Sequence, residues 1–194
     1  MPNGCEHDED REGLGRKVED RLLKSRTIIL SQPIDDQIAR KVIAQLLVLE
    51  GEDPEKEITL IVNSPGGSAD SGFAIYDLAR FVAPPVRTIC SGLCASAAVI
   101  IYLAAPKGKR LALPNARFLI HQPSTMAYGT ASDIAITARE ILALKKRYNE
   151  IVAQETGKTL AQVDKDVNRD FWLSAEEAKA YGLVDRIVER RKDV

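Results

Sequence analysis

Three short apolar segments alternate with longer amphipathic segments in the first half of the chain, and this alternation constrains the fold most. The apolar segments are typical of strands and lie at 26–30, 57–63 and 84–92. Between the first two, residues 34–53 carry apolar side chains at helical spacing. Strands separated by helices in this order form right-handed parallel βαβ units. We therefore predict an α/β fold in which helices cover a parallel sheet.

The second half of the chain contains a hairpin signal and a long helix. The segments KRLAL at 109–113 and ARFLIHQ at 116–122 flank Pro-Asn, which predicts a hairpin-like pair of strands that ends at His121. An amphipathic helix is predicted over 132–154, and its apolar stripe is expected to pack on another subunit. Capping-box patterns at 159–162 and 174–177 predict the starts of two short helices. A last strand is predicted at 183–188.

The composition indicates one globular domain. The chain has 194 residues, 45% of them hydrophobic, and a formal net charge of −1. Nucleic-acid binding needs a clustered positive field, and a membrane span needs roughly 20 continuous apolar residues. The sequence has neither feature, so we predict that the chain binds neither nucleic acid nor a membrane. A flexible polar tail without a secretory signal is predicted at 1–17, and a single domain at 18–194. The three cysteines form a poor disulfide framework, which favours the reducing cytoplasm.

Ser96 lies in the stretch GLCASAA, where small residues surround a hydroxyl at a predicted strand-to-helix junction. Three interpretations are open: a helix cap, a buried hydroxyl bonded to backbone, or a nucleophile. A nucleophile benefits from the free N–H groups and the dipole of a helix start. Small neighbours would also let a substrate carbonyl approach those N–H groups. The Gly-x-Ser-x-Gly elbow of lipases is absent from this stretch.

Histidine is scarce, since only His7 and His121 are present. His7 lies in the predicted tail, so a site of two or three histidines is unavailable, and no Cys-x-x-Cys pair replaces it. We therefore predict no metal site. His121 by itself fits a half-buried structural histidine as well as a catalytic base.

Two further segments could complete a site around Ser96. The loop NSPGGSADSG at 63–72 lacks the lysine of a phosphate-binding loop, and its paired glycines suit either a backbone N–H donor or a tight turn. Asp170 precedes Phe171-Trp172-Leu173, so we expect its carboxylate to lie beside a buried aromatic segment. A carboxylate in such a place needs a hydrogen-bond partner, and an imidazole N–H is a natural one.

Together these motifs resemble the ClpP family, the proteolytic subunits of the ATP-dependent Clp protease. The resemblance extends from Arg21 to Val188, and the motifs stand in the family's order and spacing. The segments that carry it are NSPGGS, AIYDLARF, GLCASAA, KGKRLALPNARFLIHQP and RDFWLSAEEAKAYGLVD.

The resemblance implies a role for each matching residue. Ser96 is the nucleophile of a serine endopeptidase, His121 its general base and later acid, and Asp170 the group that orients the imidazole. The backbone N–H groups of Gly67 and Ala97 match the family's oxyanion hole. An acyl-enzyme forms and is hydrolysed without a metal or organic cofactor.

The resemblance also implies architecture and partners. The fold is the ClpP/crotonase-like α/β spiral of ββα units with a protruding handle helix, here 132–154. Two stacked heptameric rings of the same chain, a tetradecamer, enclose a chamber for peptides and unfolded proteins. ATP would be used by a separate AAA+ Clp ATPase, in protein quality control in the cytoplasm.

The chain departs from the family in several places. Leu93 and Cys94 precede the nucleophile where the family has glutamine and alanine, and Ala97 replaces a methionine. Thr59 and Ile61 replace tyrosines of the cleft that docks the ATPase, so we expect weaker docking. Two alternatives remain: a non-catalytic or regulatory subunit of a mixed ring, and a crotonase-fold acyl-CoA enzyme.

Overall fold

The computed structural model describes residue 15 and residues 17–194, so the predicted tail lies almost entirely outside the described residues. The strands are β1 (Thr27–Leu30), β2 (Ile58–Ser64), β3 (Val86–Ala95), β4 (Arg110–Ala112), β5 (Arg117–Ile120), β6 (Phe171–Ser174) and β7 (Arg186–Ile187). The helices are α1 (17–24), α2 (Asp36–Glu52), α3 (Ala69–Phe81), α4 (Ala97–Tyr102), α5 (Ala131–Thr156), α6 (Leu160–Asp166) and α7 (Ala175–Tyr181).

The strands form one mixed sheet, in which the order β1-β2-β3-β4-β7 is parallel throughout. β5 pairs in parallel with the second half of β3, and β6 pairs antiparallel with β5. Buried residues of α2, α3 and α4 join the strands in a single apolar core, which includes Leu46, Ile75 and Ile100. The predicted α/β fold with parallel strands is confirmed.

The predicted hairpin around Pro114-Asn115 is wrong. β4 and β5 both run parallel to β3, β4 beside Thr88–Cys90 and β5 beside Leu93–Ala95. The Ala116 N–H donates to the Leu113 carbonyl, so the Pro-Asn segment makes a local turn, but the chain then continues in its former direction. Pairing with one long neighbouring strand decides the direction here, because it satisfies more backbone hydrogen bonds than a short turn does.

Helix α5 is partly anchored and partly exposed. Tyr148 and Val152 in its second half are buried, whereas Ile134 and Ile136 in its first half are 44% and 50% exposed. The apolar stripe predicted from the sequence is therefore covered by this chain only towards the carboxyl end of the helix. Within the described residues, no helix combines the length and apolar character needed to cross a bilayer.

The two short helices begin at the predicted hydroxyl caps. The Ser174 hydroxyl accepts from the Glu177 N–H while the Glu177 carboxylate accepts from the Ser174 N–H, a complete capping box. The Ser174 N–H and then the Ser174 hydroxyl, both donating to the carboxylate, lower the pKa of Glu177. At α6 only half of the predicted box forms: Thr159 caps the helix, but the Gln162 side chain instead donates to Asp166, at 2.7 Å.

A buried ion pair ties helix α5 to the sheet. Arg110 is fully buried, and its guanidinium donates to the carbonyls of Leu103 and Ala105 and to the carboxylate of Glu155. Glu155, near the end of α5, also accepts from Arg80 at 3.0 Å. The guanidinium thereby satisfies backbone carbonyls of the segment after α4 that would otherwise be buried without a donor.

We predict that Arg110→Met lowers the free energy of unfolding by about 3–5 kcal/mol, because it leaves buried backbone carbonyls without their donor and leaves the buried Glu155 carboxylate with Arg80 as its remaining cationic partner. Lys41→Met is the control, since the Lys41–Glu19 pair is about half exposed on both sides and should contribute at most about 1 kcal/mol. Urea unfolding measures both variants. Equal losses in the two variants would contradict the importance of the buried pair.

Candidate active site

Ser96 occupies the one-residue junction between β3 and α4 with a backbone that few non-glycine residues adopt. Its φ is +57° and its ψ is −125°, and its side chain makes no capping bond to the helix that follows. The helix-cap interpretation of this hydroxyl is therefore wrong. A strained backbone at a strand-to-helix turn presents the side chain outwards, which is the geometry that nucleophilic serines use elsewhere.

Close backbone packing holds Ser96 in this conformation. Its N–H donates to the Leu119 carbonyl at 2.9 Å, which fastens the junction to β5. On the other side lies Gly66, where an added Cβ would stand 2.7 Å from the Ser96 Cβ and 2.5 Å from the Ala95 carbonyl oxygen. Gly72 of α3 packs against Ala97 in the same way. The small residues around Ser96 thus have a steric reason.

His121 directly follows β5, and its imidazole lies next to the Ser96 hydroxyl. The Nε2 atom is 2.9 Å from the Ser96 Oγ. The His121 side chain is 28% exposed, so it is reachable from solvent while its ring is held on one side by the protein. Because Ser96 bonds Leu119 two residues earlier, the same strand positions both partners.

Asp170 reaches His121 through the β5–β6 pairing. Ile120 faces Phe171 in that antiparallel register, so the residues just beyond them, His121 and Asp170, are neighbours. The Asp170 Oδ1 is 3.3 Å from the His121 Nδ1. The structure therefore brings together all three side chains that the sequence singled out.

The reason given for Asp170 from the sequence was wrong, although the residue lies where it was expected. Its side chain is 61% exposed, and Trp172 is 43% exposed rather than buried. Trp172 faces outwards from the β5–β6 pair, where the Arg117 guanidinium stacks on its ring at 4.5 Å. The strand register, and not a buried aromatic environment, positions the carboxylate.

Gly67 lies opposite Ile34 in an isolated parallel bridge beside Ser96. The bridge uses the Gly66 carbonyl and the Ser68 N–H, at 2.9 and 2.8 Å, and leaves the Gly67 N–H out of the pairing. A Cβ at Gly67 would stand 2.2 Å from the Ile34 carbonyl oxygen, and the φ of +151° also favours glycine. Ala97, as the first residue of α4, has an N–H without an acceptor in its own helix.

A cavity of about 450 Å³ opens beside Ser96. Gly67, Ala97 and His121 also line it, so every predicted site residue except Asp170 reaches the same space. Its apolar walls come from α3, α4 and α5 and were not assigned to the site from the sequence: Phe73, Ile100, Ile141, Leu144 and Tyr148. Two of them, Ile141 and Tyr148, belong to the apolar stripe of α5 that the sequence shows. That stripe was expected to pack on another subunit and was not considered as part of the site.

The unusual Cys94 is a core residue. It is fully buried, and this burial raises the pKa of its thiol well above the ordinary value. A buried neutral thiol packs as a small apolar group, so Cys94 is not a second nucleophile. Leu93 beside it donates its N–H to the Asn63 side chain at 3.0 Å, which links β3 to the end of β2.

We predict that Gly66→Ala displaces Ser96 and slows its reaction with a fluorophosphonate probe. Gly108→Ala is the matched control, because the two glycines have φ values of +88° and +90°, but only Gly66 has neighbours within 4 Å of the added Cβ. Both variants should lose about 1–2 kcal/mol of stability from backbone strain. Labelling kinetics and urea unfolding separate the effects, and equal labelling rates would contradict the steric role of Gly66.

Comparison with known proteins agrees with this geometry. The model of the Clp protease family matches residues 10–191. A solved structure of a ClpP1 point mutant from Listeria monocytogenes superposes with a TM-score of 0.84 and 40% sequence identity, covering 90% of this chain and 98% of that one. The resemblance inferred from the motifs and the predicted ClpP-like fold are thereby confirmed. The chain belongs to the Clp protease family and is a serine-type endopeptidase.

Proposed function

We propose that Ser96, His121 and Asp170 form the catalytic triad that cleaves peptide bonds. The contact of 2.9 Å between the Ser96 Oγ and the His121 Nε2 carries this proposal. The tautomer with its proton on Nδ1 suits both contacts, because Nε2 can then accept from the serine while the Nδ1 proton lies on the side of the Asp170 carboxylate. The same contact favours a catalytic chain over a non-catalytic or regulatory subunit, which would not need the hydroxyl and imidazole in register.

The reaction follows from these positions. Ser96 attacks the carbonyl carbon of the substrate while His121 takes the hydroxyl proton, and Asp170 stabilises the resulting imidazolium. The N–H groups of Gly67 and Ala97 donate to the oxyanion of the tetrahedral intermediate. Collapse breaks the C–N bond, and His121 gives its proton to the leaving amine. Water, activated by the same imidazole, then hydrolyses the acyl-enzyme.

All of these groups belong to the chain itself, so we propose that the step needs no metal or organic cofactor. ATP would be consumed by a separate AAA+ Clp ATPase that delivers unfolded protein. The free, buried thiols of Cys90 and Cys94 fit a reducing cytoplasm.

We further propose that the chain assembles into two stacked heptameric rings around a chamber. The first half of α5 and the segment before it expose apolar side chains that a monomer would leave in water. These residues are Met126, Tyr128, Ile134, Ile136 and Leu142. Met126 and Tyr128 are more than 80% exposed. Contact with another copy would remove much of their apolar surface from water, which favours association.

We predict that a fluorophosphonate probe labels the wild-type chain and that Ser96→Ala abolishes the labelling. Peptide turnover should fall about a million-fold, the loss typical of a serine protease without its nucleophile. Ser91→Ala is the control, since Ser91 lies on the same strand but outside the site. Intact-mass spectrometry and a fluorogenic peptide report the two effects. Labelling that survives in Ser96→Ala would overturn the assignment.

The substitutions at Thr59 and Ile61 predict weak docking of a standard Clp ATPase. Both residues line a groove whose apolar part includes Leu22, Ile89 and Val188. Peptide cleavage should proceed while ATP-driven degradation of a folded protein fails, and replacing both residues with tyrosine should increase that degradation. A coupled degradation assay tests this, and robust degradation by the unmodified chain would contradict it.

A further inference from the structure

The cavity beside Ser96 carries an unpaired carboxylate that the triad does not use. Asp70 lies in the first turn of α3 and lines the cavity together with Phe73, one helical turn later on the same face. Asp70 is exposed, whereas Phe73 is only 6% exposed. A charged group therefore stands at the solvent side of an otherwise apolar wall.

Asp70 is the one carboxylate among the described residues that line the cavity. Asp70 has no ion-pair partner within 4.0 Å among residues 15 and 17–194. A second carboxylate approaches the same turn, because Asp36 accepts from the Ser71 hydroxyl at 2.9 Å. No lysine or arginine is among the described residues that line the cavity. The Arg147 guanidinium, 5.1 Å from the centre of the Phe73 ring, is outside the lining.

The helix dipole accounts for an acidic residue in this turn but not for its place beside the cavity. An acidic residue in the first turn is favoured at any helix start, because it interacts with the positive end of the dipole. That preference depends only on the position in the helix and not on what lies next to the side chain. Here Asp70 is also among the residues that line the space beside Ser96, so its charge can act on whatever occupies that space.

We propose that Asp70 is a specificity-determining residue that favours substrates with a lysine or arginine next to the scissile bond. The proposal rests on the proposed function and names a substrate preference for the same site. The aliphatic stem of a long cationic side chain can cover the apolar wall while its charged end stays near Asp70 and water. Next to apolar walls the attraction is less screened than in bulk water. Only an attraction that persists in the transition state raises kcat/KM.

The test uses fluorogenic peptides in matched pairs. The two members of a pair differ at one position only, which holds lysine in one peptide and Nε-acetyl-lysine in the other. That position is either the residue just before the scissile bond or the residue just after it. For the wild-type chain, kcat/KM should be about two- to five-fold higher for lysine at one of these positions, the range of a solvent-accessible ion pair. The preference should shrink as the salt concentration rises.

Two variants isolate the charge. Asp70→Asn should bring the lysine to acetyl-lysine ratio close to one, whereas Asp77→Asn should keep the wild-type ratio. Asp77 is an exposed aspartate on the same helix that does not line the cavity. A change in stability or in the active fraction alters both peptides of a pair equally, so it does not alter the ratio.

A wild-type ratio near one at every position, or an unchanged ratio in Asp70→Asn, would overturn the inference while leaving the proposed hydrolysis standing. Absence of hydrolysis for all peptides, together with absence of fluorophosphonate labelling, would overturn the proposed function and this inference with it.

Discussion

The bend of β3 between Cys90 and Cys94 is the constraint on which the site depends. While β2 advances from Val62 to Ser64, β3 advances from Cys90 to Cys94, so extra residues bulge out of the pairing. The bulge lets the first half of β3 pair with β4 and the second half with β5. Gly92, with a φ of +98°, forms its tip against the Asn63 side chain. Without this bend, Ser96 and His121 would end on strands that do not meet.

A second set of contacts makes the site rigid. The Arg110–Glu155 pair anchors the end of α5, and Tyr148 and Val152 pack the preceding turns into the core. The cavity wall formed by α5 is therefore held by the same interior that holds Ser96. The first half of this helix carries exposed apolar residues. One helix therefore lines the cavity beside Ser96 and, as we propose, also makes the contact between rings.

Much of the fold and of the site could be predicted from local patterns. The apolar strand segments and the Ser174 cap act over a few residues, and Ser96 and His121 were singled out by their small neighbours and by the scarcity of histidine. Asp70 and Phe73 escaped notice, because nothing in the surrounding residues shows which face of α3 meets the cavity. The exposure of Asp170 and Trp172 was also misjudged, since an aromatic run looks buried until the edge position of its strand is known.

The sequence by itself determined the alternation of strands and helices and the small residues around Ser96, and its motifs singled out Ser96, His121 and Asp170 as candidate site residues. Those properties are local, because hydrophobic periodicity and side-chain size are present in the chain before it folds. Only the tertiary structure decided that β4 and β5 both pair in parallel with β3, that Asp170 reaches His121 through the β5–β6 register, and that Asp70 lines the cavity. These depend on long-range backbone pairing, where a shift of one residue moves every side chain to the other face of the sheet.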